Sequence, residues 1–223
     1  MQTNRLRVKI CCISSVEEAR TAISLGADAL GLVSSMPSGP GVIPEETIAG
    51  IAASTPPGVN TFLLTSLQDP DAIIEQHRRC GTDTIQLVDA LPDGAHQEIR
   101  RALPGIRLVQ VIHVLDRESI AEAQRVAPHV HALLLDSGNP KLAVKTLGGT
   151  GRTHNWEISR ELVAAVKRPV FLAGGLTAEN IGEAVAGVRP FGVDLCSGVR
   201  TGGKLDPEKL KRFFEEAGKI RID

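Results

Sequence analysis

Short aliphatic runs alternate with longer amphipathic segments from one end of this chain to the other, and no other feature limits its fold as tightly. A short apolar run bounded by turn residues suits a strand buried on both faces. The segments between the runs have helical spacing, with starts and stops where a helix needs them. Strands are expected at 6–10, 29–33, 60–64, 84–87, 107–113, 132–136, 169–173 and 192–196. Helices are expected at 16–25, 44–53, 69–80, 94–103, 117–126, 156–166, 177–188 and 207–220. Ser14 or Ser15 can cap the first helix and Gly26 close it, while Asp69-Pro70 suits the start of the third. No Ser/Gly linker or compositional break divides these eight strand-then-helix units. They predict one (β/α)8 (TIM) barrel domain over residues 1–223. An open doubly wound sheet is the competing architecture.

Composition points the same way. The chain has no tyrosine and only 3% aromatic residues, so its core must be built from Val, Leu, Ile and Ala. That favours buried parallel strands over an antiparallel sandwich with aromatic cross-strand pairs. With 25 basic and 26 acidic residues and no block of like charge, no nucleic-acid partner is expected. The four cysteines, Cys11, Cys12, Cys80 and Cys196, include no Cys-x-x-Cys pair, so neither a zinc ribbon nor a disulfide framework is expected. The first residues lack the apolar stretch of a signal peptide, and no run reaches membrane-spanning length. The expectation is a cytoplasmic protein with no membrane partner. Monomer and homodimer both stay open, because barrel helices bury apolar faces in either.

In such a barrel, chemistry belongs at the carboxyl ends of the strands. Cys11, Ser34, Gln86, His113, Asp136, Gly174 and Ser197 stand there. Three glycine clusters fall in the last third of the chain. Gly148-Gly149-Thr150-Gly151 follows the sixth strand, Gly174-Gly175 the seventh and Ser197-Gly198 the eighth. Glycine lets backbone N–H groups close on an anion, and a helix N-terminus adds partial positive charge. The loops after strands seven and eight are a frequent phosphate site. Gly149, Gly151, Gly174, Gly175, Ser197 and Gly198 are therefore the expected phosphate-binding residues. The plainer alternative is that these glycines only make tight turns.

Cys11 ends the first strand. As a thiolate it could serve as a general base at the barrel mouth, or it could be an inert buried cysteine. Asp136 ends the sixth strand behind Leu133-Leu134-Leu135. Apolar surroundings can hold a carboxyl protonated so that it serves as an acid. The competing role for Asp136 is to cap the loop that follows. Lys9, Gln86, His113 and Asp194 are candidates for other substrate contacts. His129 and His131 alternate, but no further ligands accompany them, so no metal is expected.

Together these residues resemble the phosphoribosylanthranilate isomerase family over essentially the whole chain. The pieces that carry the resemblance are Val8-Lys9-Ile10-Cys11, Gly26-Ala27-Asp28-Ala29-Leu30-Gly31, Leu134-Leu135-Asp136-Ser137, and Gly148-Gly149-Thr150-Gly151 followed by Trp156. Leu172-Ala173-Gly174-Gly175-Leu176 with Glu179-Asn180, and Val193-Asp194 leading to Ser197-Gly198-Val199, complete it. The resemblance implies a cofactor-free enzyme of tryptophan biosynthesis. Its substrate would be a small phosphorylated sugar, N-(5-phosphoribosyl)anthranilate. The Amadori rearrangement of that compound yields the 1-deoxyribulose-5-phosphate product. The resemblance further implies Asp136 as general acid, protonating the ribose ring oxygen as the ring opens. Cys11 would then be the general base that takes the C2 proton of the imine, after which the enolamine becomes the ketone.

The chain departs from the family pattern in several places. Cys11-Cys12 replaces Cys-Gly after the first strand. In the loop Met36-Pro37-Ser38-Gly39-Pro40-Gly41, Pro40 stands where the family has an arginine for the substrate's aromatic carboxylate. Gln86-Leu87-Val88-Asp89 replaces Gln-Leu-His-Gly, and His154-Asn155-Trp156 replaces Phe-Asp-Trp. Arg200 replaces the glutamate after Ser-Gly-Val. Arg152 or Arg200 could take over the carboxylate. Otherwise the substrate is a different aminated ribose phosphate, or the barrel binds a phosphorylated ligand without chemistry.

Overall fold

The computed structural model describes residues 5–138 and 155–221. Eight strands form a closed parallel barrel in chain order: β1 (Arg7–Ile10), β2 (Ala29–Val33), β3 (Asn60–Thr65), β4 (Thr84–Leu87), β5 (Arg107–His113), β6 (Ala132–Asp136), β7 (Val170–Leu172) and β8 (Gly192–Leu195). The pairing of β8 with β1, through Lys9↔Asp194 and Ile10↔Leu195, closes the ring and excludes the open sheet. The intervening helices are α1 (Val16–Ser24), α2 (Glu45–Ser54), α3 (Pro70–Cys80), α4 (Ala95–Ala102), α5 (Glu118–Val126), α6 (Trp156–Ala165), α7 (Ile181–Val188) and α8 (Pro207–Ala217). No helix among the described residues is long and apolar enough to cross a membrane.

Strand alternation splits the buried residues into two layers. Ile10, Leu30, Leu63, Ile85, Leu133 and Leu135 face the helices. Val33, Leu64, Val88, Val111, Leu134 and Phe171 fill the barrel interior. The same alternation turns Lys9, Cys11, Asp136 and Asp194 inward, since Val8, Ile10, Leu135, Val193 and Leu195 face outward.

The expected caps form. Ser15 Oγ accepts from the Glu18 N–H at 3.1 Å, and the Glu18 carboxylate accepts from the Ser14 N–H at 2.9 Å. Asp69 accepts from the Ala72 N–H at 2.9 Å, and Gly81, at φ 66°, closes α3 in the left-handed region. One boundary differs in a way that matters for the site. α7 begins at Ile181 rather than Thr177. Residues 177–180 instead form a turn in which the Thr177 N–H donates to Asn180 Oδ1 at 2.8 Å, while Asn180 Nδ2 donates to the Gly175 carbonyl at 2.9 Å. Asn180 thus braces the Gly174-Gly175 turn. A short hairpin, β9 (Arg200–Thr201) with β10 (Lys204–Leu205), lies in a segment expected to be loop. Gly202 and Gly203, at φ 57° and 79°, make its two-residue turn.

Candidate active site

The carboxyl ends of the strands surround a pocket. Cys11, Asp136, Gly174, Gly175, Asp194 and Ser197 all line it, brought together from β1, β6, β7 and β8. The strand-end expectation from sequence therefore converges on one cavity. Ser34 does not join it, because its hydroxyl donates to the Leu64 carbonyl at 2.7 Å and is buried.

Cys11 continues the barrel seam, its N–H donating to the Leu195 carbonyl at 2.7 Å. Its thiol and the Lys9 ammonium converge over Gly31. A Cβ built on Gly31 would lie 2.8 Å from Cys11 Sγ and 2.9 Å from Lys9 Nζ. Only glycine leaves room there for both groups. Lys9 is wholly buried, forms an ion pair with Asp194 at 2.9 Å and sits over the Phe62 ring at 5.3 Å. Burial opposes its charge, but Asp194 and the neighbouring Cys11 more than offset this and hold the ammonium protonated. Lys9 is thus a buried positive charge at the level of Cys11 and does not line the pocket.

Asp136 is buried, and burial pushes its carboxyl above the usual carboxylate range. The Ser137 N–H, at 2.7 Å, pulls part of that shift back, as do the His113 and Lys9 side chains. The Ser137 contact is also the local cap that the sequence allowed. Gln86 faces the pocket with its Oε1 buried and without a hydrogen-bond partner among the described residues. An acceptor in that state is available to a bound ligand. His113 pairs with the Val88 carbonyl at 3.0 Å and lines an adjacent cleft against α5 instead of this pocket.

On the opposite rim, Gly174 and Gly175 hold φ 85° and 63°, which other residues rarely adopt. A Cβ on Gly198 would meet the Leu176 carbonyl oxygen at 2.0 Å, so the two turns are in backbone contact. Gly198→Ala is expected to force these turns apart. It should raise the KM for a phosphate ester about tenfold and destabilise the fold by about 1–3 kcal/mol. Steady-state kinetics and thermal melting check both effects. Gly149 and Gly151, also expected to bind phosphate, lie outside the described residues, as does Arg152.

Arg200 is not where a carboxylate-binding role would put it. Its guanidinium is buried and donates to the Cys11 carbonyl at 3.2 Å, to the Cys12 carbonyl, and to both oxygens of Glu18 at 3.2 Å. It clamps the loop after β1 to α1. Burial pushes the Glu18 carboxyl up, but the Leu205 N–H, Arg200 and the Ser14 N–H outweigh this and hold it below the usual range. A depressed folded pKa stabilises fully above the unfolded value, about 4.3, and the contribution is lost as pH falls through the folded value. Urea melts should therefore show a stability loss on acidification below about pH 4 that is smaller in Glu18→Gln. Arg200→Met is expected to cost about 2 kcal/mol near neutral pH, since it takes the cation from the half-buried Glu18 carboxylate and the donor from the Cys11, Cys12 and Gly203 carbonyls.

The expected carboxylate arginine is absent from the loop at 36–41. Pro40 lines the pocket instead, and no lysine, arginine or histidine does so among the described residues. Cys12 and Cys196, absent from the residues expected at the site, also line the pocket. Cys12 carried a signal, as a bulky residue after the strand where the resembled family has glycine.

The family model for N-(5'phosphoribosyl)anthranilate (PRA) isomerase matches residues 8–216. The N-(5'-phosphoribosyl)anthranilate isomerase of Geobacter metallireducens is 41% identical over 216 residues, covering 95% of this chain and 98% of that protein. The crystal structure of phosphoribosyl anthranilate isomerase from Thermotoga maritima superposes with a TM-score of 0.82 at 29% identity, covering 96% of this chain and all of that one. A phosphoribosyl anthranilate isomerase in complex with reduced 1-(o-carboxyphenylamino)-1-deoxyribulose 5-phosphate superposes with a TM-score of 0.80 at 27% identity, again over 96% of this chain and all of the other. With matches at full length in sequence and in fold, this chain belongs to the N-(5'-phosphoribosyl)anthranilate isomerase family.

Proposed function

We propose that this protein isomerises N-(5'-phosphoribosyl)anthranilate to its 1-deoxyribulose 5-phosphate product, with Asp136 as general acid and Cys11 as general base. The observation that carries the reading is the convergence of a buried carboxyl and a strand-end thiol on one cavity rimmed by two glycine turns. The backbone of Gly174, Gly175, Ser197 and Gly198 would take the phosphate, joined by Gly149 and Gly151. That anchor holds the ribose across the pocket. Asp136, whose carboxyl burial holds above the usual range, gives a proton to the ring oxygen as the C1–O bond opens to the imine. Cys11 removes the C2 proton, with the buried Lys9 ammonium beside it over Gly31. The enolamine then becomes the ketone. Gln86 Oε1 and Asp194 would accept hydrogen bonds from substrate hydroxyls. In this reading the protein needs no cofactor.

The test is incubation with freshly made N-(5'-phosphoribosyl)anthranilate while anthranilate-type fluorescence is followed. Turnover no faster than with Cys11→Ala would sink the assignment. A second reading has one specific observation in its favour, the absence of a cation from the described pocket lining. It holds that the substrate is an aminated ribose phosphate without the benzoate. Thermal-shift screening of such compounds against the anthranilate ester separates the two, since only the second reading has the former stabilise the protein more.

A further inference from the structure

The pocket holds two thiols that the proposed chemistry does not use. Cys12 follows Cys11 on the loop after β1, and Cys196 directly follows β8. They are 184 residues apart in sequence, yet their sulfur atoms lie 2.8 Å from each other. The closing seam of the barrel makes them neighbours, and both backbones are pinned there. Leu195 is bonded to the Cys11 N–H, and Arg200 grips the carbonyls of Cys11 and Cys12. Cys12 sits at φ 63°, a conformation that favours glycine and costs free energy with any other residue. Gly41 backs directly onto it, with a built Cβ falling 2.5 Å from Cys12 Cβ, so the Cys12 thiol is walled off on that side.

We infer that Cys12 and Cys196 are a redox modification site, forming a reversible disulfide across the barrel seam when hydrogen peroxide enters the pocket. A disulfide spans about 2.05 Å, so the sulfurs need to close by only about 0.8 Å. The alternative pair, Cys11 with Cys12, is disfavoured by covalent geometry. Adjacent Cα atoms are about 3.8 Å apart, below the range of about 4.4–6.8 Å that disulfides occupy.

Cys196 is partly exposed at the pocket and Cys12 is buried, so peroxide reaches Cys196 first. The hydrogen bond with Cys12 holds the Cys196 thiol below its usual range despite burial, and the Arg200 charge adds to this. The Cys196 sulfur attacks one peroxide oxygen and the O–O bond breaks. This leaves a sulfenic acid, and the departing hydroxide takes up the thiol proton as water. Cys12 sulfur then attacks the sulfenic sulfur. The S–S bond forms, the S–O bond breaks, and the hydroxyl leaves with the Cys12 proton as a second water. The two thiols lose two electrons, which reduce one peroxide to two waters. A dithiol reductant reverses the bond by exchange.

The bridge ties the loop that carries Cys11 to the turn that carries Ser197 and Gly198. Its effect on turnover rests on the proposed isomerase reading; its formation does not. The full chain is treated with hydrogen peroxide, alkylated, digested without reduction and analysed by mass spectrometry. The expected product is one cross-link, two hydrogens lighter, between the peptides holding Cys12 and Cys196. It should persist in Cys11→Ser and Cys80→Ser, vanish in Cys12→Ser and in Cys196→Ser, and disappear on adding dithiothreitol. Closing so long a loop should also raise the melting temperature of the oxidised form by roughly 5 °C or more. Turnover of N-(5'-phosphoribosyl)anthranilate should fall at least tenfold and return on reduction. Separate alkylation of both cysteines, over-oxidation of Cys196 without a bridge, or a link through Cys11, Cys80 or a second molecule would overturn the inference. If the bridge forms in a protein that never turns over the substrate, the isomerase reading fails and the redox site stands.

Discussion

Cys11→Ser is expected to lower kcat for N-(5'-phosphoribosyl)anthranilate by about 10³-fold, with KM changed by less than about threefold. Serine keeps the shape that packs over Gly31 beside Lys9, so substrate binding and fold should survive. What it loses is the thiol, the more acidic of the two side-chain types. A hydroxyl with no base beside it cannot take a carbon-bound proton at a useful rate. Stopped-flow fluorescence under saturating substrate reads kcat directly, and circular dichroism checks that the barrel is intact. A variant within fivefold of the wild type in kcat would remove Cys11 from the base role.

Asp136→Asn is expected to cost about 10²–10⁴ in kcat, and its pH signature distinguishes an acid from a merely structural carboxylate. The acid works only while protonated. Burial raises its folded pKa, so kcat/KM should fall as pH rises through that value. In Asp136→Asn this descending limb should vanish and the residual rate stay flat. The stability effect has the opposite sign to the activity effect. A carboxyl whose folded pKa is raised favours the folded state most at low pH, and that advantage is lost as pH climbs. Above the folded value the wild type carries a buried charge that asparagine does not. Asp136→Asn should therefore melt no lower than wild type at any pH above that value, even though it is nearly inactive. An activity loss accompanied by a large drop in melting temperature would point instead to the Ser137 cap as the main role of Asp136.

The two arginine questions at this site end differently. Arg200 is a candidate for the substrate carboxylate from sequence, because a cation directly after the Ser197-Gly198-Val199 turn has few neighbours along the chain to claim it. The fold supplies one from far away, since Glu18 on α1 lies 3.2 Å from its guanidinium. Once paired and bonded to the Cys11, Cys12 and Gly203 carbonyls, its charge is committed to holding the Cys11 loop. Arg152 lies outside the described residues. The pocket at Pro40 therefore keeps specificity as the sharpest experimental question, which the two-substrate comparison answers.

Local periodicity made the barrel legible in the amino-acid sequence. Leu133, Leu134 and Leu135 alternate between the helix layer and the interior because successive side chains on a strand point to opposite faces, whatever lies around them. The same rule carries Cys11 and Asp136 to the inside and to the strand ends. The Ser15 and Asp69 caps were also readable, since each needs a partner only three residues away. The start of α7 differs from the sequence expectation because Thr177 is helix-compatible by itself, while Asn180 instead braces the Gly175 carbonyl. The tertiary structure alone decided which distant groups meet. Closing β8 onto β1 brings Cys196 against Cys12 and Arg200 against Glu18, and it stacks Lys9 on Asp194. Those pairings depend on three-dimensional closure over more than 180 residues of chain, and no spacing in the sequence encodes a contact of that range.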